Sequence, residues 1–148
     1  MLLLGRARSR RGLASALIGE IAAVIDSIER FEEVRKLEDM AIGAEENLDE
    51  LGAFELPRFW VYESNANRLD LFEAALQRQI AYFFTCAGSL AGHLHALAST
   101  KKESTELCKL HAIDAQKEIN GLSELGDDLL RGLRKLVSKK QPATIFRA

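Results

Sequence analysis

Apolar residues recur early in the chain at Ala14, Leu17, Ile21, Val24, Ile28 and Phe31, in alternating steps of three and four. That is one stripe down the side of a helix. The stripe then slips by one to Val34, Leu37 and Ala41, and no Pro or Gly interrupts residues 20 to 42. The spacing predicts a helix from about Arg11 to Met40, ended near Gly43. A second stripe, Leu76, Ile80, Phe83, Ala87, Leu90, Leu94 and Leu97, predicts a helix from about Leu71 to Ser99. A third, Ala112, Ala115, Ile119, Leu122, Leu129, Leu133 and Leu136, has Gly126 on one stripe position and predicts a helix from about Ser104 to Ser138. Ser104 can cap the first free amides, although Leu107 stands where a capping box would need Glu or Gln. Arg131, Arg134, Lys135, Lys139 and Lys140 crowd the far end, where cations complement the helix dipole.

Helices of about 30 residues are about 45 Å long, and three such rods pack at shallow angles. A tight turn around Thr100 to Glu103 joins the second to the third. Residues 43 to 70 form a longer link with a helical turn at Ala44 to Leu51, then Leu56-Pro57, then Phe59-Trp60-Val61-Tyr62. A link of that length has structure of its own, and its aromatics are expected to cap one end of the bundle. The fold class expected is all-α: an antiparallel bundle of three long helices with a short helical crossing between the first and second. Residues 1–10 read as a basic N-terminal tail or anchor flank, 11–140 as the bundle and 141–148 as a C-terminal tail.

Composition narrows the class. The chain has 148 residues, 47% apolar and 28% charged, which suits one ordinary domain with its own core. Two Pro and ten Gly are too few for a turn-rich β sandwich or barrel. Two Cys, Cys86 and Cys108, make no disulfide framework and fit a reducing, cytoplasmic compartment as small apolar residues. The net charge of −2 gives no bulk support for nucleic-acid binding. Charge is unevenly spread, however. Residues 1 to 19 carry Arg6, Arg8, Arg10 and Arg11 and no acid, residues 20 to 50 carry a net −8, and residues 101 to 148 a net +3. Opposite signs on the first and last long segments favour their lying side by side, at roughly 0 to 1 kcal/mol per exposed pair.

The middle helix raises the question of a membrane span. From Gln79 to Thr100 no Asp, Glu, Lys or Arg occurs, a length sufficient to cross a bilayer. Yet Gln79, Thr85, Ser89, His93, His95, Ser99 and Thr100 are too many polar groups for lipid. The better reading is the central helix of the bundle, covered by neighbours on most sides. Gly88 and Gly92, beside Ala87 and Ala91, are then expected to allow tight helix approach.

No catalytic constellation is legible. His93 and His95 lie two apart and face different ways, and neither they nor His111 belongs to a Glu-x-x-His or His-Glu-x-x-His set. The run after His95 lacks the Lys-Gly of a phosphotransfer helix. There is no Gly-x-Ser-x-Gly turn and no glycine-rich phosphate cradle. Glu29, Glu32, Glu33, Glu38 and Asp39 read as a solvated face. A non-enzyme without cofactor or metal is expected.

The unusual segment is 59–72, with four aromatics around Glu63, Asn65, Asn67, Arg68 and Asp70. Buried Tyr and Trp need partners for their polar atoms, and the Arg68 guanidinium can clamp a carboxylate. Trp60, Tyr62, Glu63, Asn65 and Arg68 therefore form either a structural lock into the second long helix or the lining of a small-ligand or peptide pocket.

The string Val61-Tyr62-Glu63-Ser64-Asn65-Ala66-Asn67-Arg68-Leu69, followed by Arg78 and Ala81-Tyr82-Phe83, resembles a group of bacterial helical-domain proteins without assigned activity. That group carries a Tyr-Glu-x-Asn-x-x-(Lys/Arg)-(Leu/Ile) signature before its second long helix. The resemblance covers about residues 8 to 138 and implies a single N-terminal membrane helix, a basic flank and a helical cytosolic domain. Here Met1-Leu2-Leu3-Leu4-Gly5 is only a stub before the Arg cluster. The expectation is either a shortened form of a singly anchored inner-membrane protein or a basic tail on a soluble one. The functional expectation is a non-enzymatic interaction or scaffold module, cytosolic, with a protein partner or self-association. Peripheral contact with the inner membrane face would run through Arg6, Arg8, Arg10 and Arg11. The alternative is a ligand-sensing module with a pocket at the crossing.

Overall fold

The structure, a computed structural model, describes residues 2–42, 55–100 and 105–139, with side chains described within 5–32, 55–96 and 113–139. Three long helices dominate it: α1 (Leu2–Ile42), α3 (Ala74–Thr100) and α4 (Thr105–Ser138). Between α1 and α3 lie a short helix, α2 (Trp60–Ser64), and a 3₁₀ helix (Ala66–Leu71). The long helices pack on one another in an all-α bundle, as the stripes imply. Helix α1 starts well before Arg11, because Leu, Ala and Arg are strong helix formers and no Pro stands in the way. The expected turn at Ala44–Leu51, residues 101–103 of the expected tight turn and the 141–148 tail lie outside the described residues. So do the side chains of Val34, Leu37, Ala41, Cys108 and His111.

The core follows the stripes. Leu17, Ile21, Val24 and Ile28 of α1 are buried against Ile80, Phe83, Leu90 and Leu94 of α3 and Ile119, Leu122, Leu129 and Leu133 of α4. Each such side chain contributes about 1.5–3 kcal/mol by leaving water. Leu13, Ile25, Phe84 and Leu130 widen the stripes into bands. Gly126 marks a close approach, since a Cβ built there would stand 2.6 Å from Ile25 Cδ1 and 3.1 Å from Phe83 Cε2.

Direction matters more than the stripes reveal. Gln116 of α4 reaches Glu32 of α1, and Arg11 donates to the Lys139 carbonyl, so α4 runs antiparallel to α1. His93 of α3 meets Glu118 and Phe83 lies beside Gly126, so α4 is antiparallel to α3 as well. Helices α1 and α3 therefore point the same way. A chain joining parallel rods must travel back along their length, which explains the long link. The aromatics of that link do not cap a bundle end, contrary to expectation. They lie along the flank of the bundle, between Glu20 of α1 and Phe84 of α3: Tyr62 stacks on Phe84 at 4.5 Å and Phe59 meets the same ring edge-on at 5.0 Å.

Two further expectations change. Helix α3 is not enclosed on most sides; α4 is the helix that packs closely along both of the others. Gly88 and Gly92 face outward, and a Cβ added to either would meet nothing within 4 Å. Tight packing is thus not their role within this chain. Helices α1 and α4 do lie side by side, but their antiparallel course brings the basic start of one to the basic end of the other. Among the described residues no helix is long and apolar enough to cross a membrane.

Candidate functional site

The crossing is held from outside itself. The Glu20 carboxylate on α1 accepts hydrogen bonds from the Val61 amide at 2.9 Å and the Tyr62 amide at 2.8 Å. Those N–H groups belong to the first turn of α2, where no helical partner exists for them and the helix dipole favours an anion. Phe59, at the N-cap position, supplies no side-chain cap, so Glu20 takes that part. The sequence carried a faint sign of this: an acid on the stripe side, beside Ile21 and three residues after Leu17.

The residues singled out at the crossing divide into separate groups. The Asn65 amide donates to the Val61 carbonyl at 2.8 Å, and Arg68 Nη1 donates to Asn65 Oδ1 at 3.2 Å. These two side chains thus close the α2 turn onto the 3₁₀ helix. Tyr62 is half-buried, with its ring stacked on Phe84. Trp60 is 60% exposed, with the Arg58 guanidinium 4.1 Å above its ring, a cation–π contact of about 0.5–1 kcal/mol at an exposed site. Glu63 is exposed. Neither the cavity at the start of α1 nor the groove between α3 and α4 is lined by Trp60, Tyr62, Asn65 or Arg68. Of the N-terminal cations, Arg6 and Arg8 are exposed while Arg10 and Arg11 are half-buried.

The second feature is the outer face of α3, made of Tyr82, Thr85, Gly88, Ser89 and Gly92, all exposed. Tyr82 is 64% exposed and stands beside a groove of about 320 Å³ between α3 and α4. Cys86 and Ser89 form one wall of that groove and Gly121, Leu122 and Leu125 the other. Cys86 is half-buried, as a small apolar residue beside the core. Cys86 beside Tyr82 favours the protonated phenol, by hydrogen-bonding tendency and by the charge its thiolate form would bring, and holds that phenol above the ordinary tyrosine range. At the far end His93 Nδ1 pairs with Glu118 at 2.9 Å, both largely in solvent. Among the described residues no three His, Cys, Asp or Glu side chains converge as metal ligands.

Comparison with models of protein families, with curated proteins and with solved structures finds no match to this chain.

Proposed function

We propose that this chain is a helical interaction module, not an enzyme, and that it associates with a second copy of itself through the outer face of α3. One observation carries this reading: α3 bears no Asp, Glu, Lys or Arg from Gln79 to Thr100, yet the described part of its outward side is open to solvent. An exposed helix face is ordinarily charged, and glycine inside an exposed helix costs about 1 kcal/mol relative to alanine. Gly88 and Gly92 bear that cost without packing on anything in this chain. A neighbouring backbone could approach closely there. Self-pairing suits the face because an uncharged surface brings no like charges together, and because it holds both a knob and a notch. Two copies crossing antiparallel near Ala87 would lay each Tyr82 ring against the Gly88–Gly92 notch of the other, the reciprocal contact of a two-fold dimer.

The test is sedimentation equilibrium over a range of concentrations. The wild-type chain should show a reversible monomer–dimer equilibrium. Ser89→Glu, an exposed substitution, should be monomeric with an unchanged melting temperature. A wild-type chain that stays monomeric throughout, or a variant that dimerises as well as the wild type, contradicts the reading. A scaffold role at the inner membrane face belongs to the same proposal, and the exposed Arg6 and Arg8 are suited to it.

A further inference from the structure

The antiparallel course of α1 and α4 has a chemical result at one end of the bundle. Arg6 and Arg10 of α1 come together with Lys135 and Lys139 at the end of α4 around a cavity of about 610 Å³. Like charges so placed repel one another, and the neighbouring acids do not cancel them: none of the four cations forms an ion pair among the described residues. Asp70 and Glu73 line the same cavity and offset part of this charge, which leaves the four cations in excess over the two acids. Arg10 is the least exposed of the four. It is half-buried, and its Nε is shut off from solvent with no hydrogen-bond partner among the described residues. A nitrogen closed to water is closed to a bound ligand as well, so Arg10 lines the cavity through the part of its side chain that solvent reaches. Meanwhile Arg6 is tethered to the Asp70 carbonyl at 3.5 Å and Arg11 to that of Lys139, so the surrounding backbone is fixed around the void.

The floor differs from the rim. Phe72 is buried, and Leu76 and Leu136 are half-buried on the same cavity. The volume lies within the range of roughly 300–1,000 Å³ that small organic ligands occupy, well beyond the needs of a bare inorganic anion. Cations arriving from two separate helices suit a tetrahedral anion with several acceptor oxygens better than a flat carboxylate with two. We propose that this cavity binds a phosphomonoester that carries an apolar group: the phosphate sits among Arg6, Arg10, Lys135 and Lys139, and the apolar part rests on Phe72, Leu76 and Leu136. That chemistry has two sources, a soluble organic phosphate and the headgroup of phosphatidic acid in a bilayer. The site is distinct from the outer face of α3 and does not depend on self-association.

The test uses the full chain and three probes at low salt: phenyl phosphate, phenol, and phosphatidylcholine vesicles with and without phosphatidic acid. Titration calorimetry should show phenyl phosphate binding at a single site and no binding of phenol. Lys135→Gln combined with Lys139→Gln leaves buried positions untouched, and should weaken phenyl phosphate by about tenfold or more, the loss expected for charge-assisted hydrogen bonds. Arg10→Gln should weaken it at least as much, with circular dichroism confirming the fold. Binding to phosphatidic acid vesicles that is lost in the same variants identifies the lipid headgroup as a source. Vesicle binding that is absent while phenyl phosphate binds identifies a soluble one. If neither phenyl phosphate nor phosphatidic acid binds, or if all variants bind as the wild type does, the proposal is overturned.

Discussion

Glu20 joins α1 to the crossing by a pair of charge-assisted hydrogen bonds, and losing it leaves two partly buried amides at the start of α2 without an acceptor. Glu20→Ala should destabilise the chain by about 1–3 kcal/mol in urea unfolding and speed hydrogen exchange at the Val61 and Tyr62 amides. Glu20→Gln keeps one acceptor oxygen and should lose less. Gly126 and Gly121 make a second residue-scale contrast on α4. At Gly126 a methyl would press on Ile25 and Phe83, whereas at Gly121 it would meet nothing within 4 Å. Gly126→Ala should therefore lower stability by about 1 kcal/mol or more, crowding outweighing the helix propensity gained. Gly121→Ala should raise it by about 0.5–1 kcal/mol. Thermal unfolding of the two variants checks both signs. The sequence marks Gly126 as unusual because it interrupts an apolar stripe. The sign for Glu20, an acid beside the stripe, is fainter, because its partners are backbone amides more than forty positions away.

Among the elements, the long helices were legible because steps of three and four name both the helix and its buried face. The stripe residues Leu17, Ile80, Phe83 and Leu129 are fully or almost fully buried for that reason. Helix α1 departs from its stripe, since residues ahead of Arg11 are helical by propensity and by their contacts with the 3₁₀ helix and the end of α4. The direction of α3 was not legible. It depends on where a link of about thirty residues returns, and local periodicity carries no information about that. Phe84 shows the consequence. It lies one position off the stripe, yet it is 2% exposed because Tyr62 and Phe59 of the returning link cover it. Phe84→Ala should cost about 3–5 kcal/mol, as for a core phenylalanine. Tyr82→Ala, two residues earlier on the open side, should change the stability of the monomer by no more than about 0.5 kcal/mol in guanidinium unfolding at high dilution, where association does not contribute.

At the scale of the whole molecule, one topological fact sets both functional readings. With α1 and α3 parallel and α4 opposed to both, the crossing covers one flank of α3, α4 covers another, and the uncharged outer side is left open. The same arrangement gathers the cations of the chain's start and finish at one end. The uncharged run in α3 and the basic clusters were plain in the sequence, but their placement was not. The run read as a central helix because composition cannot tell a face hidden by neighbours from one kept free of charge for a partner. Trp60, Tyr62, Glu63, Asn65 and Arg68 read as a lock or a pocket lining; Asn65 and Arg68 close the crossing by hydrogen bonds, and the cation-lined cavity lies beyond it, where residues distant in sequence meet.

The claim that the open side of α3 is an interaction surface is tested most directly by oxidative cross-linking of single-cysteine chains. Cys86 and Cys108 are replaced by alanine, and cysteine is placed either at Gly88 on α3 or at Gly19 on α1, both exposed positions where an added Cβ meets nothing. The Gly88→Cys chain should form a disulfide-linked dimer rapidly and at low concentration, while the Gly19→Cys chain should cross-link slowly and only as random collision allows. Equal rates for the two chains, or faster cross-linking from Gly19→Cys, would contradict the account.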